Sequence, residues 1–211
     1  MKDFTVVFAA IIAISCSAQS PVKSLYDDTM ETPEAYYKDL NNDLDNFVGT
    51  WKYTSGDTSL TIVLQKKEMQ HVDYVYIIVY RDYIIGEYKY IEQGIEKINT
   101  LPNINVNYNN DPYKYNITGS IIQKPTAGNP DYCKNCGPND VKLISFFKDP
   151  ERSILGYKPE MIFHYFVEGG IEKLRLNFRT IGGESGGFDG TQNFYSEYNI
   201  PFGVYILEKQ N

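Results

Sequence analysis

Apolar and polar residues alternate along most of the chain after residue 47. The runs 60–64, 161–167 and 174–178 each place an apolar side chain at every second position, and the last of them is the cleanest. Successive side chains of a β-strand point to opposite faces, so this period of two is typical of a strand with one buried face. The pattern therefore predicts half-buried strands, with Leu174, Leu176 and Phe178 directed into a core.

Short turn sequences separate these runs. Glycine-containing turns are predicted at 55–57, 93–94 and 169–170, and Asn199-Ile200-Pro201 marks another. We expect nine or ten strands between residues 49 and 209, and no segment there has the pattern of a crossover helix. The chain is therefore predicted to be all-β: a single antiparallel meander β-barrel or barrel-like sandwich over 46–211, with Trp51 in its core.

The segment before the strands has a different period. Thr32-Pro33-Glu34 is a helix-start signal, because a capping hydroxyl precedes a proline and an acid. Tyr36, Leu40 and Leu44 then recur every four residues, which places them on one helical stripe. Residues 19–45 are accordingly predicted to be a polar tether followed by a short helix over about 33–45.

The first residues have the pattern of a targeting segment. The apolar run 4–14 is followed by Ser15-Cys16-Ser17-Ala18, which favours a secretory signal peptide over 1–18. Alternatively, Ala13-Ile14-Ser15-Cys16 resembles a bacterial lipobox, in which Cys16 becomes the lipidated first residue. We therefore expect an exported protein, in the periplasm or anchored to the outer membrane of a Gram-negative cell. A lipid on Cys16 is then its only predicted membrane contact.

Charge and composition narrow the class of partner. The 211 residues carry a net charge of −7, which argues against a nucleic-acid-binding protein because phosphates require a basic face. No cofactor and no metal is expected: the histidines, His71 and His164, both fall in strand-like segments, which leaves too few ligands for zinc.

Two cysteines remain after the targeting segment. Cys133 and Cys136 form a C-x-x-C in a loop rich in proline and glycine. An exported protein favours a small disulfide between them, whereas free thiols, a metal site and a redox pair are the alternatives.

Gly183-Glu184-Ser185-Gly186-Gly187 matches the pattern around the nucleophile of serine hydrolases. A nucleophilic Ser185 would need a histidine base and an orienting acid within reach. We interpret the sequence as a glycine-rich loop and keep a hydrolase using Ser185 as the alternative function. A glycosidase needs a pair of carboxylates, and Asp82 and Glu87 are among the candidates. With 27 acids in the chain, some carboxylates are expected to approach each other by chance, so we prefer the interpretation without a glycosidase site.

Tyrosine is unusually frequent, with 19 copies among 211 residues. Tyrosines on strands can line a ligand cavity or simply keep a wet hydroxyl at the surface. The predicted function is a non-enzymatic binding or surface-interaction protein, whose partner is an unknown small ligand or surface. The ligand would be a small apolar or sugar-like molecule in a cavity lined by tyrosines, with Tyr76, Tyr88 and Tyr90 as candidates.

Two resemblances accompany this interpretation. Gly49-Thr50-Trp51 resembles the Gly-x-Trp of lipocalin barrels, which implies that the tryptophan closes one barrel end and that Arg175 or Arg179 packs on it. More broadly, Phe47-Val48-Gly49-Thr50-Trp51, residues 60–64, 85–90 and 94–101, and Cys136-Gly137-Pro138 resemble, in that order, an exported Bacteroidetes family known only as a domain of unknown function. That resemblance implies no activity, substrate or catalytic residue.

Overall fold

The computed structural model describes residues 20–27, 31–124, 140–154, 158–181 and 195–210, which contain eleven β-strands. The strands are β1 (Val22–Ser24), β2 (Tyr36–Lys38), β3 (Gly49–Ser55), β4 (Thr58–Asp73), β5 (Ile78–Glu92), β6 (Ile95–Asn99), β7 (Ile117–Gln123), β8 (Lys142–Phe147), β9 (Pro159–Glu168), β10 (Ile171–Thr180) and β11 (Gly203–Gln210). Short 3-10 helices span Asp43–Phe47, Leu101–Asn105 and Pro112–Lys114. Among the described residues, no helix is both long and apolar enough to cross a bilayer.

Eight of these strands close into an antiparallel barrel. The order of strands around the ring is β5, β4, β3, β11, β10, β9, β8 and β7. The ring is completed because β7 also pairs with β5. Consecutive barrel strands are neighbours, and β11 pairs with β3 to join the two ends of the chain path. The predicted antiparallel meander barrel is therefore confirmed, and β3 to β11 supply the expected number of strands.

The inside of the barrel is occupied by the apolar side chains of the alternating runs. The residues at 60, 62 and 64, and those at 174, 176 and 178, are buried there as the pattern predicted, and so is Trp51. Aromatic rings fill much of the remaining space: Phe147 lies 4.7 Å from Phe178 and 5.1 Å from Tyr88, measured between ring centroids. The described strands thus form a packed core.

The short helix predicted over 33–45 is wrong. Tyr36–Lys38 is strand β2, which pairs in parallel with both β1 and β5, and the only helical turn of this region is the 3-10 turn Asp43–Phe47. Glu34 has a φ of 60°, outside the right-handed helical region, and its N–H donates to the Ile78 carbonyl at 2.7 Å. Hydrogen bonds to neighbouring strands therefore replace the helical ones, and Leu40 of the predicted stripe is exposed.

A buried carboxylate fixes this N-terminal segment to the barrel. Asp82, fully buried on β5, accepts hydrogen bonds from the Tyr36 hydroxyl at 2.6 Å, the Asp39 N–H at 3.0 Å and the Met69 N–H at 2.9 Å. Three donors around one carboxylate offset the cost of burying its charge. One of these donors lies in a bulge of β4, where Met69 has a φ of 51° and the register with β5 shifts between Lys67 and Gln70.

The connection from β5 to β7 covers the outside of the barrel. Its residues 101–116 lie across the outer faces of β4 and β5, where Ile85, Ile104 and Tyr115 form a second buried apolar cluster. For this reason β5 is buried on both faces between residues 82 and 88.

Candidate functional site

An open groove lies where the covering segment 101–116 meets the far end of β4. Its cavity volume is about 340 Å³. We call it the Asn/Tyr groove, because amide and tyrosine side chains dominate its lining: Lys67, Gln70, Asn105, Val106, Asn107, Tyr108, Asn110, Asp111 and Tyr115.

Local backbone geometry explains why so many asparagines occur here. Asn109 and Asn110 adopt left-handed conformations with φ of 56° and 61°, which asparagine tolerates better than most residues. The Asn107 and Asp111 side chains accept hydrogen bonds from backbone N–H groups two residues ahead, at 2.9 and 3.0 Å. These Asx turns replace strand pairing and hold the segment in a fixed, curved path.

Two tyrosines form the apolar part of the groove. The Tyr108 and Tyr115 rings meet edge to face with centroids 4.9 Å apart, and both pack on the second apolar cluster. The Tyr115 hydroxyl donates to the Val106 carbonyl at 2.7 Å, and burial raises the pKa of this phenol. Tyr115 therefore stays neutral at physiological pH and ties the two sides of the covering segment together.

Two polar groups of the groove have no partner among the described residues. Within these described ranges, the Lys67 ammonium makes no ion pair and the Asn110 amide makes no hydrogen bond. An amide offers both donors and an acceptor, whereas the ammonium offers donors only. Such a set can bind hydroxyl groups, which both donate and accept, while a tyrosine ring covers an apolar C–H face of the same ligand.

A buried acid lies beneath the covering segment. Glu87 on β5 is fully buried and accepts hydrogen bonds from Asn116, from the side-chain amide at 2.6 Å and from the backbone N–H at 3.4 Å. Burial raises the pKa of Glu87, and the hydrogen bonds from Thr100 and Asn116 oppose that rise only in part. Glu87 thus anchors the end of the segment that forms the groove.

The three candidate tyrosines lie in two different places. Tyr88 and Tyr90 project into the barrel, opposite Ile62 and Leu60 of β4, and both are buried. Tyr76 lies in the turn between β4 and β5 and is 93% exposed. The structure brings the first two together and leaves Tyr76 apart from them, and a ligand-binding role for any of them stays a prediction.

The other candidate groups are also separated. His71 lies on the β4–β5 hairpin against Tyr80, with ring centroids 5.8 Å apart, whereas His164 lies on the outer face of β9, where Asp140 approaches its Nε2 to 3.6 Å. Burial lowers the pKa of His164. Ser185, Cys16, Cys133 and Cys136 lie outside the described residues, so the hydrolase, lipidation and disulfide hypotheses stay predictions. The described ranges contain no cluster of three metal-ligating side chains.

The cation that packs on Trp51 differs from the one that the lipocalin resemblance implied. Lys209 on β11 lies with its Nζ 5.3 Å from the Trp51 ring, and the same Nζ donates to Glu172 at 3.0 Å. Arg175 and Arg179 were the wrong residues for this position: they alternate with the inward-facing residues of β10 and point to its outer side. Arg179 pairs there with Glu160, at 2.6 Å.

Sequence comparison assigns the chain to a group without assigning it an activity. A family model described as a family of unknown function, DUF6705, matches residues 1–210. The chain belongs to this family. Neither a curated protein nor a solved structure matches the chain. Any function for this DUF6705 member therefore has to be argued from its own residues.

The Asn/Tyr groove itself was missed by sequence reasoning. Lys67 and Gln70 are about forty residues before the segment that faces them, and only the path of the covering segment over β4 brings the two together. The seven asparagines between 99 and 116 were the available signal, because asparagine favours the left-handed residues and Asx turns that curve this segment.

Proposed function

We propose that this DUF6705 protein is an exported, non-enzymatic binding protein that holds a sugar-like ligand in the Asn/Tyr groove. The observation that carries the proposal is the lining of the groove, where amides, an acid and an ammonium surround two tyrosine rings. The packed barrel core favours this outer site over a ligand inside the barrel. The groove volume of about 340 Å³ is at the lower end of the usual range for small-molecule sites.

The chemistry of the groove favours a polyhydroxylated ligand over an apolar one. Polar side chains outnumber apolar ones in the lining, and an apolar ligand would leave the Lys67 ammonium and the Asn110 amide without hydrogen-bond partners. A sugar ring satisfies both kinds of surface, since its hydroxyls pair with amides and its C–H face packs on a tyrosine ring. The net charge of −7 also disfavours a polyanionic ligand.

Two adjacent asparagines provide a matched test. Asn110 lines the groove and Asn109 does not, and both are exposed with left-handed φ values of 61° and 56°. Glycine adopts this conformation freely, so Asn110→Gly and Asn109→Gly each remove one amide without straining the backbone. We expect binding to an array of neutral oligosaccharides, followed by calorimetry on the best binder, to weaken about tenfold for Asn110→Gly, as loss of about 1.4 kcal/mol of hydrogen bonding implies.

Asn109→Gly is expected to bind the same oligosaccharide as the wild type does. Equal losses in the two variants would place the effect in the loop backbone and contradict binding in the groove. Absence of any array binding by the wild type would reject the sugar-like ligand class.

We also propose that the chain is exported through residues 1–18 and that its kinship lies with exported proteins of the Bacteroidetes. The apolar run 4–14 followed by small residues supports export, and Cys16 allows a lipid anchor. The intact mass of the protein purified from its own cells distinguishes the forms: cleavage after Ala18 gives the soluble protein, and a diacylglycerol adduct on Cys16 gives the lipoprotein. A mass that begins at Met1 would contradict export.

We also propose that the chain resembles the lipocalin barrels at the end that Trp51 closes. The resemblance is supported by the place of Trp51, whose indole N–H donates to Phe47 in the 3-10 turn before β3, and by a cation over its ring. Residue Lys209 supplies that cation from the last strand, where the resemblance implied an arginine.

A further inference from the structure

The turn between β4 and β5 presents apolar side chains directly to solvent. Val75 is 83% exposed and Tyr76 is 93% exposed, and Tyr74 and Ile78 beside them are also exposed. Burying these side chains would be favourable, and adjacent exposed apolar side chains are typical of an interaction surface. We call residues 74–78 the β4–β5 tip.

The backbone of the tip is strained in a way that keeps these side chains outward. Val75 has a φ of 62°, a conformation that a β-branched residue rarely adopts. The turn is closed by the Tyr74 N–H to the Ile77 carbonyl at 2.9 Å, and the Asp73 carboxylate accepts the Val75 N–H at 2.9 Å. Asparagine or glycine would fit this position without strain, so valine here serves something other than the turn.

The N-terminal part of the chain approaches the barrel at this same end. Strands β1, β2 and β5 are parallel, and Val22 pairs with Tyr36, which pairs in turn with Tyr80. Val22 therefore lies about 10 Å from Tyr80, two strand spacings away, and Ser20 and Pro21 lead toward the start of β5 and the tip. Cys16, the proposed lipid site, lies four positions before Ser20 in the sequence, a span of at most about 14 Å.

We infer that the β4–β5 tip contacts a lipid bilayer, with Val75 and Tyr76 inserted at the interface between headgroups and acyl chains. Tyrosine is favoured at that depth because its ring is apolar and its hydroxyl stays hydrated, and an adjacent valine adds apolar area. The approach of the N-terminal chain to the same end selects the bilayer over a soluble partner, since a lipid on Cys16 would hold the tip at the membrane surface, and this step rests on the proposed lipid anchor. The inference is independent of the Asn/Tyr groove.

Tryptophan placed at the tip reports this contact directly. The chain has one tryptophan, Trp51, which is fully buried and so provides a constant background. We expect Tyr76→Trp in the full chain to shift its emission to the blue and to be quenched when the protein is mixed with vesicles of phosphatidylethanolamine and phosphatidylglycerol that carry brominated acyl chains. The matched control is Ile95→Trp in the β5–β6 hairpin at the opposite barrel end, where Ile95 is 62% exposed, and it should be neither shifted nor quenched.

A second variant separates the tip from other membrane contacts. Val75→Asn suits the left-handed backbone, so we expect the protein to unfold at the same or a higher urea concentration and its affinity for the same vesicles to fall at least threefold. Protein that sediments with vesicles while Tyr76→Trp stays unquenched would overturn the inference, as would protein that does not bind vesicles. A dimer that Val75→Asn dissociates, with unchanged vesicle affinity, would assign the tip to contact between copies of the chain and overturn it too.

Discussion

The Trp51 indole N–H donates to the Phe47 carbonyl oxygen at 2.8 Å, and this bond connects the first barrel strand to the turn that precedes it. Phe47 and Leu44 of that turn are fully buried, as is Trp51 itself. The indole thus acts in two ways: its ring fills the barrel, and its N–H holds the 3-10 turn against the end of the barrel.

Replacing Trp51 tests both roles. We expect Trp51→Ala to lower the free energy of unfolding by about 3–5 kcal/mol, because a large aromatic is removed from a packed core. Trp51→Phe keeps part of the volume, and it should cost less than Trp51→Ala while leaving the Phe47 carbonyl without its donor. Urea unfolding followed by far-UV circular dichroism measures both, and a loss below about 1 kcal/mol for Trp51→Ala would mean that the residue is not part of the core.

Lys209 should stabilise the protein through its charge. Lys209→Met keeps most of the side-chain volume but removes the ammonium over Trp51 and the hydrogen bond to Glu172, so we expect a loss of about 0.5–1 kcal/mol. Arg175→Met removes a cation from the outer face of β10 and is the matched control, expected to change stability by no more than about 0.5 kcal/mol. If the two variants lose equal stability in urea, the contacts of Lys209 with Trp51 and Glu172 do not stabilise the protein more than a surface cation does.

The Tyr36 hydroxyl should hold the N-terminal segment on β5. Tyr36→Phe removes the 2.6 Å hydrogen bond to the buried Asp82 carboxylate, and hydrogen bonds to charged groups are worth about 1.5–3 kcal/mol. Tyr80, directly across the strands from Tyr36, gives the control Tyr80→Phe. We expect chemical denaturation to show a clear loss for the first variant and almost none for the second, and amide exchange in residues 36–39 to accelerate in the first alone.

Glu87 should make stability depend on pH in an unusual direction. Burial raises the pKa of this folded-state carboxyl above its unfolded value, so the folded protein holds the proton more tightly. The stability that this proton contributes is fully present below the unfolded pKa, near 4.3, and is lost as pH rises through the raised folded value. Glu87→Gln cannot titrate, so the stability of the wild type relative to this variant should fall as pH increases through that window.

The measurement is the difference in unfolding free energy between wild type and Glu87→Gln at several pH values from acidic to neutral. Taking the difference cancels the contributions of other carboxyl groups, including Glu172, whose pKa is lowered by hydrogen bonds from Lys209 and Tyr165. A difference that is constant with pH, or that rises with it, would contradict the raised pKa of Glu87.

Cys133 and Cys136 are expected to pair with each other. Free-thiol titration of the unfolded, unreduced exported protein should then find neither thiol reactive. Replacing both cysteines with serine should lower stability by only about 0–2 kcal/mol, because the bond closes a very short loop. Two reactive thiols would contradict the disulfide and support free thiols. One equivalent of bound zinc would contradict it and support a metal site.

The sequence predicted the barrel well because its strands bury one face each. In β10 the alternation of Leu174, Leu176 and Phe178 with polar residues follows directly from the difference between the barrel interior and water. The pattern failed where a strand continues beyond the barrel wall: Val167 has the same parity as Met161 and Phe163, yet it is 57% exposed at the end of β9. Alternation specifies the face of a side chain but not its depth along the strand.

The N-terminal segment and the groove depended on partners that are distant in sequence. The spacing of Tyr36, Leu40 and Leu44 suits a helix, but a buried acceptor at Asp82 and an open edge of β5 make an extended path more favourable. Similarly, the outer face of β5 is dry because residues 101–116 cover it, a contact that the sequence of β5 itself does not indicate. Local pattern cannot report such tertiary competition.

Closure of the ring between β3 and β11 has a consequence for how the chain matures. Because Glu208, Lys209 and Gln210 pair with Lys52, Trp51 and Thr50, the last barrel strand along the chain completes the sheet that the first barrel strand begins. Until β11 is available, two strand edges with unpaired main-chain groups stay open to other chains, and folding must wait for a contact between residues about 160 positions apart. A chaperone that keeps the nascent or translocating chain extended until β11 emerges would therefore protect this protein from aggregation.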